Sequence, residues 1–446
     1  MLICAVIWPA ASRAQSTPPD QVVFDMLDAI STDSLLRHIQ VLEDAGGTRS
    51  RVSFTPGKDS AAVYIKQVFD RMPGLTAVYY DTFYVQGAQN PYRNQPQVNV
   101  VGVLEGRLDP GRYYVIGGHY DSTADRDDAW DYGNTRGANW KTTEAPGAND
   151  NATGVASVLE LARVLSDPKT GFRPDYTLVF IAFGVEERIP HVIGTGSHIG
   201  SAHYANTAKS RGEEISGMIS IDMVGFNNNH HYSALAIHDN FMVDQSVQFA
   251  TKLYQANTDF DIGLIMNSPP FARGSWSDHD SFANQGYPAV VIIENAPPWR
   301  SNQFYTANPY YHKTTDTWEK INMQLVHKVT QLNLATIASL GGGLETSVEA
   351  EPLSPEKIAL LTNYPNPFNP STNIVFELNQ AAHVTLSVHD ITGRNITVLI
   401  DETVSSGRHS VSFDAGAGGL SLPSGIYFYR IVSGTDSAAG KMLLVR

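Results

Sequence analysis

From about Tyr113 to Leu340 the chain alternates unbroken apolar runs with segments whose apolar residues recur at helical spacing. The run RYYVIGG is followed by a loop and then by GVASVLELARVL, which repeats its apolar positions as an amphipathic helix does. YTLVFIAFG, ISGMISIDMVGF and YPAVVIIEN are further apolar runs, and a helical pattern near Asp244–Ala256 separates the last two. NMQLVHKVTQLNLATIASL closes the series as a helix stopped by Gly341–Gly343. Strands apolar on both faces, alternating with helices, predict a three-layer α/β/α fold around a mostly parallel central sheet. Upstream, Pro19–Phe69 reads as helical, and TAVYYDTFYV and PQVNVVGVLEG read as additional strands.

The pattern changes after residue 343. LETSVEAEPLSPEK (344–357) is a polar, Pro-containing linker. Beyond it NIVFEL, HVTLSVHD, NITVLID, RHSVSFD, GIYFYRIVSG and GKMLLVR alternate apolar and polar residues between turn residues. Residues 358–446 are therefore expected to form a small all-β, immunoglobulin-like sandwich, with residues 15–343 as the α/β domain. No internal repeat or low-complexity tract interrupts either part.

Composition narrows the partners. With 31 basic against 45 acidic residues the net charge is −14, and no run of Lys or Arg offsets it, which argues against nucleic acid or an anionic membrane as partner. No apolar run approaches the roughly 20 residues of a membrane-spanning helix. The single cysteine, Cys4, lies in the apolar start MLICAVIWPAASRA, which reads as a signal peptide over residues 1–14 although a basic n-region is missing. On that reading the mature chain holds no cysteine, and any metal must be gripped by His, Asp and Glu.

In an open parallel sheet, ligands bind beyond the carboxyl ends of the strands, so residues just after each run matter most. They are His119 and Asp121 in GGHYDS, Asp150 in GANDNATG, Glu186 and Glu187 in AFGVEER, Asp222 in IDMVG, and His312 and Asp316 in YYHKTTDTW. Taken singly each has a plain explanation: a structural histidine, a helix N-cap, a strand acid paired with an arginine. Taken together they offer only oxygen and imidazole ligands along one sheet edge. The three carboxylates Asp150, Glu187 and Asp222 with one hydroxide balance two Zn2+ ions, whereas a single ion leaves excess negative charge.

The ordered set GGHYDS, GANDNATG, AFGVEER, IDMVG, WSDHDSF and YHKTTDTW resembles the co-catalytic di-zinc aminopeptidase family, which includes secreted bacterial leucyl-type aminopeptidases and glutamate carboxypeptidases. The match spans about Gln97–Lys320. The resemblance implies an exopeptidase that removes N-terminal residues from peptides using two Zn2+ per chain. It implies that Asp150 bridges the metals, that His119 and Asp222 complete one, that Glu187 and His312 complete the other, and that Glu186 is the general base. Asp121 would orient His119, Asp316 could do the same for His312, and Asp278 and His279 would support the site or contact substrate. Met223 and Tyr311 flank proposed ligands and are candidates for the pocket wall. Two departures are visible: Val185 replaces the usual glycine before the acid pair, and RIPHVIGTG is longer than the usual Gly-rich segment after it.

Rival readings remain open on sequence alone. A glutaminyl cyclase-type acyltransferase would use one zinc on this scaffold. A carboxypeptidase would need a basic residue, such as Arg188 or Arg273, for the substrate's terminal carboxylate. A non-catalytic receptor or adhesin predicts missing ligands, and none is missing. GTGSHIG fails the dinucleotide spacing and reads as a loop; His230 and His231 read as a solvated loop; GSWSDHD cannot form a Ser–His–Asp relay from sequence neighbours. At the other end NYPNPFNPSTNI, HDITGR, SGIYFYRI and GKMLLVR resemble the C-terminal sorting domain of type IX secretion. That implies the type IX machinery as partner and a secreted or cell-surface location in a Gram-negative bacterium, reached through the periplasm.

Overall fold

The computed structural model describes residues 19–130, 139–188, 192, 196–226, 234–239, 244–266, 276–295, 297–301, 305–342, 358–366, 368–378, 380–390, 394–416, 422–433 and 436–445. The expected signal peptide with Cys4, the linker 344–357, His230, His231 and Arg273 lie outside these residues. The chain forms two compact units, Met1–Ser347 and Val348–Arg446. Among the described residues no helix is long and apolar enough to cross a membrane.

Among the described residues the first unit is built on eight strands: β1 (Ala77–Phe83), β2 (Gln97–Leu104), β3 (Asp109–His119), β4 (Tyr176–Phe183), β5 (Glu214–Ile221), β6 (Ala234–Asp239), β7 (Ile265–Met266) and β8 (Ala289–Ile293). Their order across the sheet is β1-β2-β4-β3-β5-β8-β6-β7. The four central strands, β4-β3-β5-β8, are parallel. β2 joins β4 antiparallel on one side and β6 joins β8 antiparallel on the other, so the sheet as a whole is mixed. The parallel core follows from its connections, because each crossover carries a helix: α4 (Thr153–Leu165) after β3 and α5 (Ile199–Arg211) after β4.

Helices cover both faces, and β4 shows how the sequence arranges this. Leu178, Phe180 and Ala182 enter a core shared with α4, α2 (Thr32–Glu43) and the closing helix α8 (Met323–Gly341). The alternate residues Val179, Ile181 and Phe183 enter a second core with α5 and the short helix α7 (His279–Ala283). Strands buried on both sides need apolar residues at every position, which is why these runs read as continuous. Each such side chain contributes about 1.5–3 kcal/mol by burial. The closing helix starts where Asn322 accepts hydrogen bonds from the Gln324 and Leu325 amides and stops at Gly342, whose φ of 65° suits glycine.

Among the described residues the second unit holds two antiparallel sheets, β13-β10-β9 and β12-β11-β14-β15, in which β9 is Ile358–Tyr364, β12 is Asn395–Val404 and β15 is Asp436–Leu444. Phe376 of β10 (Ser371–Leu378) and Phe413 of β13 (Gly407–Asp414) share one core with Val388 of β11 (Ala382–Asp390) and Tyr429 of β14 (Gly425–Ser433), so the sheets pack face to face.

One buried cation ties the front of the first unit together. Arg51 sits in the loop between α2 and α3 (Pro56–Asp70) and is fully buried. Its guanidinium donates to the carbonyls of Leu42, Tyr120, Pro146 and Gly147. It thereby joins α2 to the segments that follow β3 and precede α4. Arg51→Met keeps the length but leaves these acceptors without donors. It is expected to lower the urea midpoint of the first unit, with a loss of at least about 3 kcal/mol in the extrapolated unfolding free energy.

Candidate metal centre

Because the four central strands are parallel, their carboxyl ends share one edge, and every sequence-predicted ligand lies on it. His119 ends β3, Glu186 and Glu187 follow β4, and Asp222 follows β5. Asp150 precedes α4 in a tight segment that Asn151 pins by donating to Ile221 O and accepting from Gly154 N; the Asp150–Asn151 peptide is cis. His312 comes from the loop after β8.

Asp150 lies at the centre. Its Oδ1 is 3.2 Å from His119 Nε2 and its Oδ2 is 3.1 Å from His312 Nε2. Asp222 Oδ1 approaches His119 Nε2 at 3.5 Å, and Glu187 Oε1 approaches His312 Nε2 at 3.4 Å. Two triads therefore share one carboxylate: His119–Asp150–Asp222 and His312–Asp150–Glu187. Burial alone would raise the Asp150 carboxyl, but hydrogen bonds from the two imidazoles hold it below the usual range. Burial does raise Glu187 and Asp222.

These residues fit a divalent cation. Glu187 Oε1 and Asp222 Oδ1 are buried and accept no hydrogen bond among the described residues. Ligand atoms of His119, Asp150 and Glu187 lie within 4.8 Å of one another. Hard carboxylate oxygens with imidazole nitrogens, and no thiolate, suit zinc without copper-type or iron–sulfur chemistry.

The supporting shell differs from expectation in two places. His119 Nδ1 lies 3.2 Å from the main-chain carbonyl of Asp121 and 3.7 Å from its carboxylate. That carboxylate instead accepts from the amides of Glu186 and Glu187 and from Ser53 Oγ, so it fixes the acid pair. Asp316 does not orient His312. It accepts from the amides of Asn149 and Asp150, because the chain after His312 folds back under the Asp150 segment. The residue on His312 is Asp125, whose Oδ1 is 2.7 Å from Nδ1. Sequence reasoning missed it, along with Glu294 and His198. Glu294 follows β8 and accepts from Asn149 Nδ2, Phe226 N, Tyr305 OH and Asn308 Nδ2. His198 Nε2 lies 2.9 Å from Glu186 Oε1. Glu294 obeys the same strand-end rule as the ligands, so its signal was present; Asp125 and His198 sit in loops that carry none.

A cavity of about 340 Å3 opens onto the centre. Met223, Ile293, Trp276 and Trp299 form an apolar wall; Tyr311, Arg126 and Arg188 also line it. Tyr311 stacks on His312 with ring centroids 3.8 Å apart. Asp278 and His279 are buried and do not line the cavity; burial and the Glu186 charge raise Asp278 to about 7.

Residues 99–337 match peptidase family M28, and residues 362–445 match the secretion system C-terminal sorting domain. A probable zinc metalloprotease of Pyrenophora tritici-repentis is 32% identical over 216 residues, which is 46% of this chain and 44% of that protein. The chain thus spans less than half the length of that relative. Among solved structures, the LapA aminopeptidase of Legionella pneumophila has a TM-score of 0.55 at 21% identity, covering 75% of this chain and 79% of that one. A glutaminyl cyclase from an Acidobacteriales bacterium also has a TM-score of 0.55, at 19% identity, covering 75% and 99%. Both likenesses establish the fold.

The Asp125 contact has a measurable consequence. Asp125→Ala is expected to weaken zinc binding about 10–100-fold in competition with a chromogenic chelator, with circular dichroism unchanged.

Proposed function

The chain belongs to peptidase family M28, and from that premise we propose that it is an exported zinc aminopeptidase that removes N-terminal residues from peptides through a carboxylate-bridged dinuclear centre. The observation that carries the two-ion reading is the division of the Asp150 carboxylate, one oxygen toward His119 and the other toward His312. His119, Asp222 and one oxygen of Asp150 would hold one zinc; His312, Glu187 and the other oxygen would hold the second. Bound zinc supplies Lewis-acid polarisation of the scissile carbonyl and acidifies water.

Glu186 is the general base. Its amide is fixed by Asp121 and its side chain lines the cavity, so it can take a proton from the attacking water and pass it to the leaving amine. Glu187, its neighbour, points into the His312 triad, so the two acids divide the work. Asp125 and the Asp121 carbonyl fix the imidazole orientations. Met223 and Ile293 offer an apolar surface to the first side chain.

The sorting domain supports export by the type IX machinery to the surface or surroundings of a Gram-negative bacterium. A chain lacking residues 348–446 is expected to keep activity on aminoacyl chromogenic substrates and to lose export, as read by cell fractionation.

A peptide panel with free and blocked N-termini, read by mass spectrometry, tests the activity. Release of single N-terminal residues from free peptides only, abolished by chelation and restored by zinc, is expected. C-terminal trimming or cyclisation of N-terminal glutamine would overturn the reading. Glu187→Ala is expected to lose bound zinc, measured by elemental analysis. Glu186→Ala is expected to keep it and to lose kcat by at least about 10²-fold.

A further inference from the structure

The segment after the acid pair returns to it by a route that the sequence does not disclose. Main-chain amides of His198, Ile199 and Gly200 donate to the carbonyls of Glu186, Val185 and Gly184 in turn. These three bonds zip the start of α5 against the residues that carry the base. His198 takes a φ of 56°, a left-handed conformation that histidine tolerates better than most residues. Its imidazole lines the same cavity as Glu186.

The side chain closes a second link. His198 Nε2 is 2.9 Å from Glu186 Oε1. An ionised carboxylate only accepts hydrogen bonds, so Nε2 carries the proton and donates. His198 therefore grips Glu186 twice, once through its amide and once through its ring. Around Glu186 the carboxylates of Glu187, Asp222 and Asp278 repel it, and the His119 imidazole on the metal side attracts it. Without a donor on Oε1, the Glu186 side chain is drawn toward whatever cation the centre holds, and a base that swings onto the metal is no longer free to accept a proton.

We propose that His198 is the positioning residue of the general base: it occupies one oxygen of Glu186 and holds the carboxylate clear of the metal centre, leaving the other oxygen free for proton transfer. This rests on the reading of Glu186 as base.

His198→Asn and His198→Gln separate the roles. Asparagine accepts the left-handed backbone but is too short to reach Glu186 Oε1, whereas glutamine places an N–H donor where Nε2 stood. His198→Asn is expected to lower kcat about 10–100-fold on an aminoacyl chromogenic substrate. KM should stay within about twofold and bound zinc should match the wild-type chain. His198→Gln should restore most of kcat, and His198→Asn should cost nothing further in a Glu186→Ala background. The proposal is overturned if His198→Asn turns over normally while Glu186→Ala is inactive. It is equally overturned if His198→Asn loses zinc, if glutamine and asparagine are equally impaired, or if the double variant is slower than Glu186→Ala. Should Glu186→Ala itself be fully active, the base assignment fails, whatever His198 does.

Discussion

Eight carboxylates lie buried at the carboxyl edge of the parallel strands: Asp121, Asp150, Glu186, Glu187, Asp222, Asp278, Glu294 and Asp316. Removing an ionised carboxylate from water costs several kcal/mol unless partners replace the lost hydration. The surroundings of this edge are organised around supplying those partners. Asp121 and Asp316 are satisfied largely by main-chain amides, Glu294 by two asparagines, a tyrosine and an amide, and Glu186 by an imidazole. Asp150 has two imidazoles. Glu187 Oε1 and Asp222 Oδ1 remain, one on each side of Asp150. Both oxygens of Asp278, which does not line the cavity, are likewise without a hydrogen bond among the described residues, so within the cavity the unpartnered carboxylate oxygens are those of two proposed ligands.

The same crowding explains the backbone. Among the described residues seven non-glycine residues have positive φ, and four of them surround the centre: Val185, His198, Met223 and His312. Each turns the chain sharply beside a proposed ligand or the base. Such conformations cost about 1–3 kcal/mol each and persist where packing over-determines them. Val185, a β-branched residue in a place usually given to glycine, is fully buried in a cluster with Val52, Phe54 and Phe83. Apolar packing there offsets what the backbone loses.

How much of this was legible in the sequence depends on the range of the interaction. The proposed ligands His119, Glu187 and Asp222 lie at or just after the ends of apolar runs, and parallel strands bring those ends together, whereas Asp150 and His312 reach the same edge from loops. The proposed division of the acid pair rests on a local rule, that neighbouring side chains at a strand end diverge. The antiparallel additions that make the sheet mixed were not legible, since an apolar run does not state the direction of its neighbour. Asp125 was hidden among the acids of STADRDD, and its contact with His312 spans 187 residues. Asp316 shows the opposite case: it lies four residues from His312 along the chain, yet the chain carries it to the amides of Asn149 and Asp150.

Arg51 draws a boundary of a different kind. It and Ser53 precede the span shared with peptidase family M28, which begins at residue 99. Yet one clamps the carbonyls of Tyr120 and Gly147, and the other holds Asp121 against the acid pair. The unit that makes the centre is therefore larger than the unit that homology marks out. Any minimal version of this protein, whether cut for expression or grafted onto another scaffold, has to carry the helical segment from about Thr32 onward as part of its active machinery.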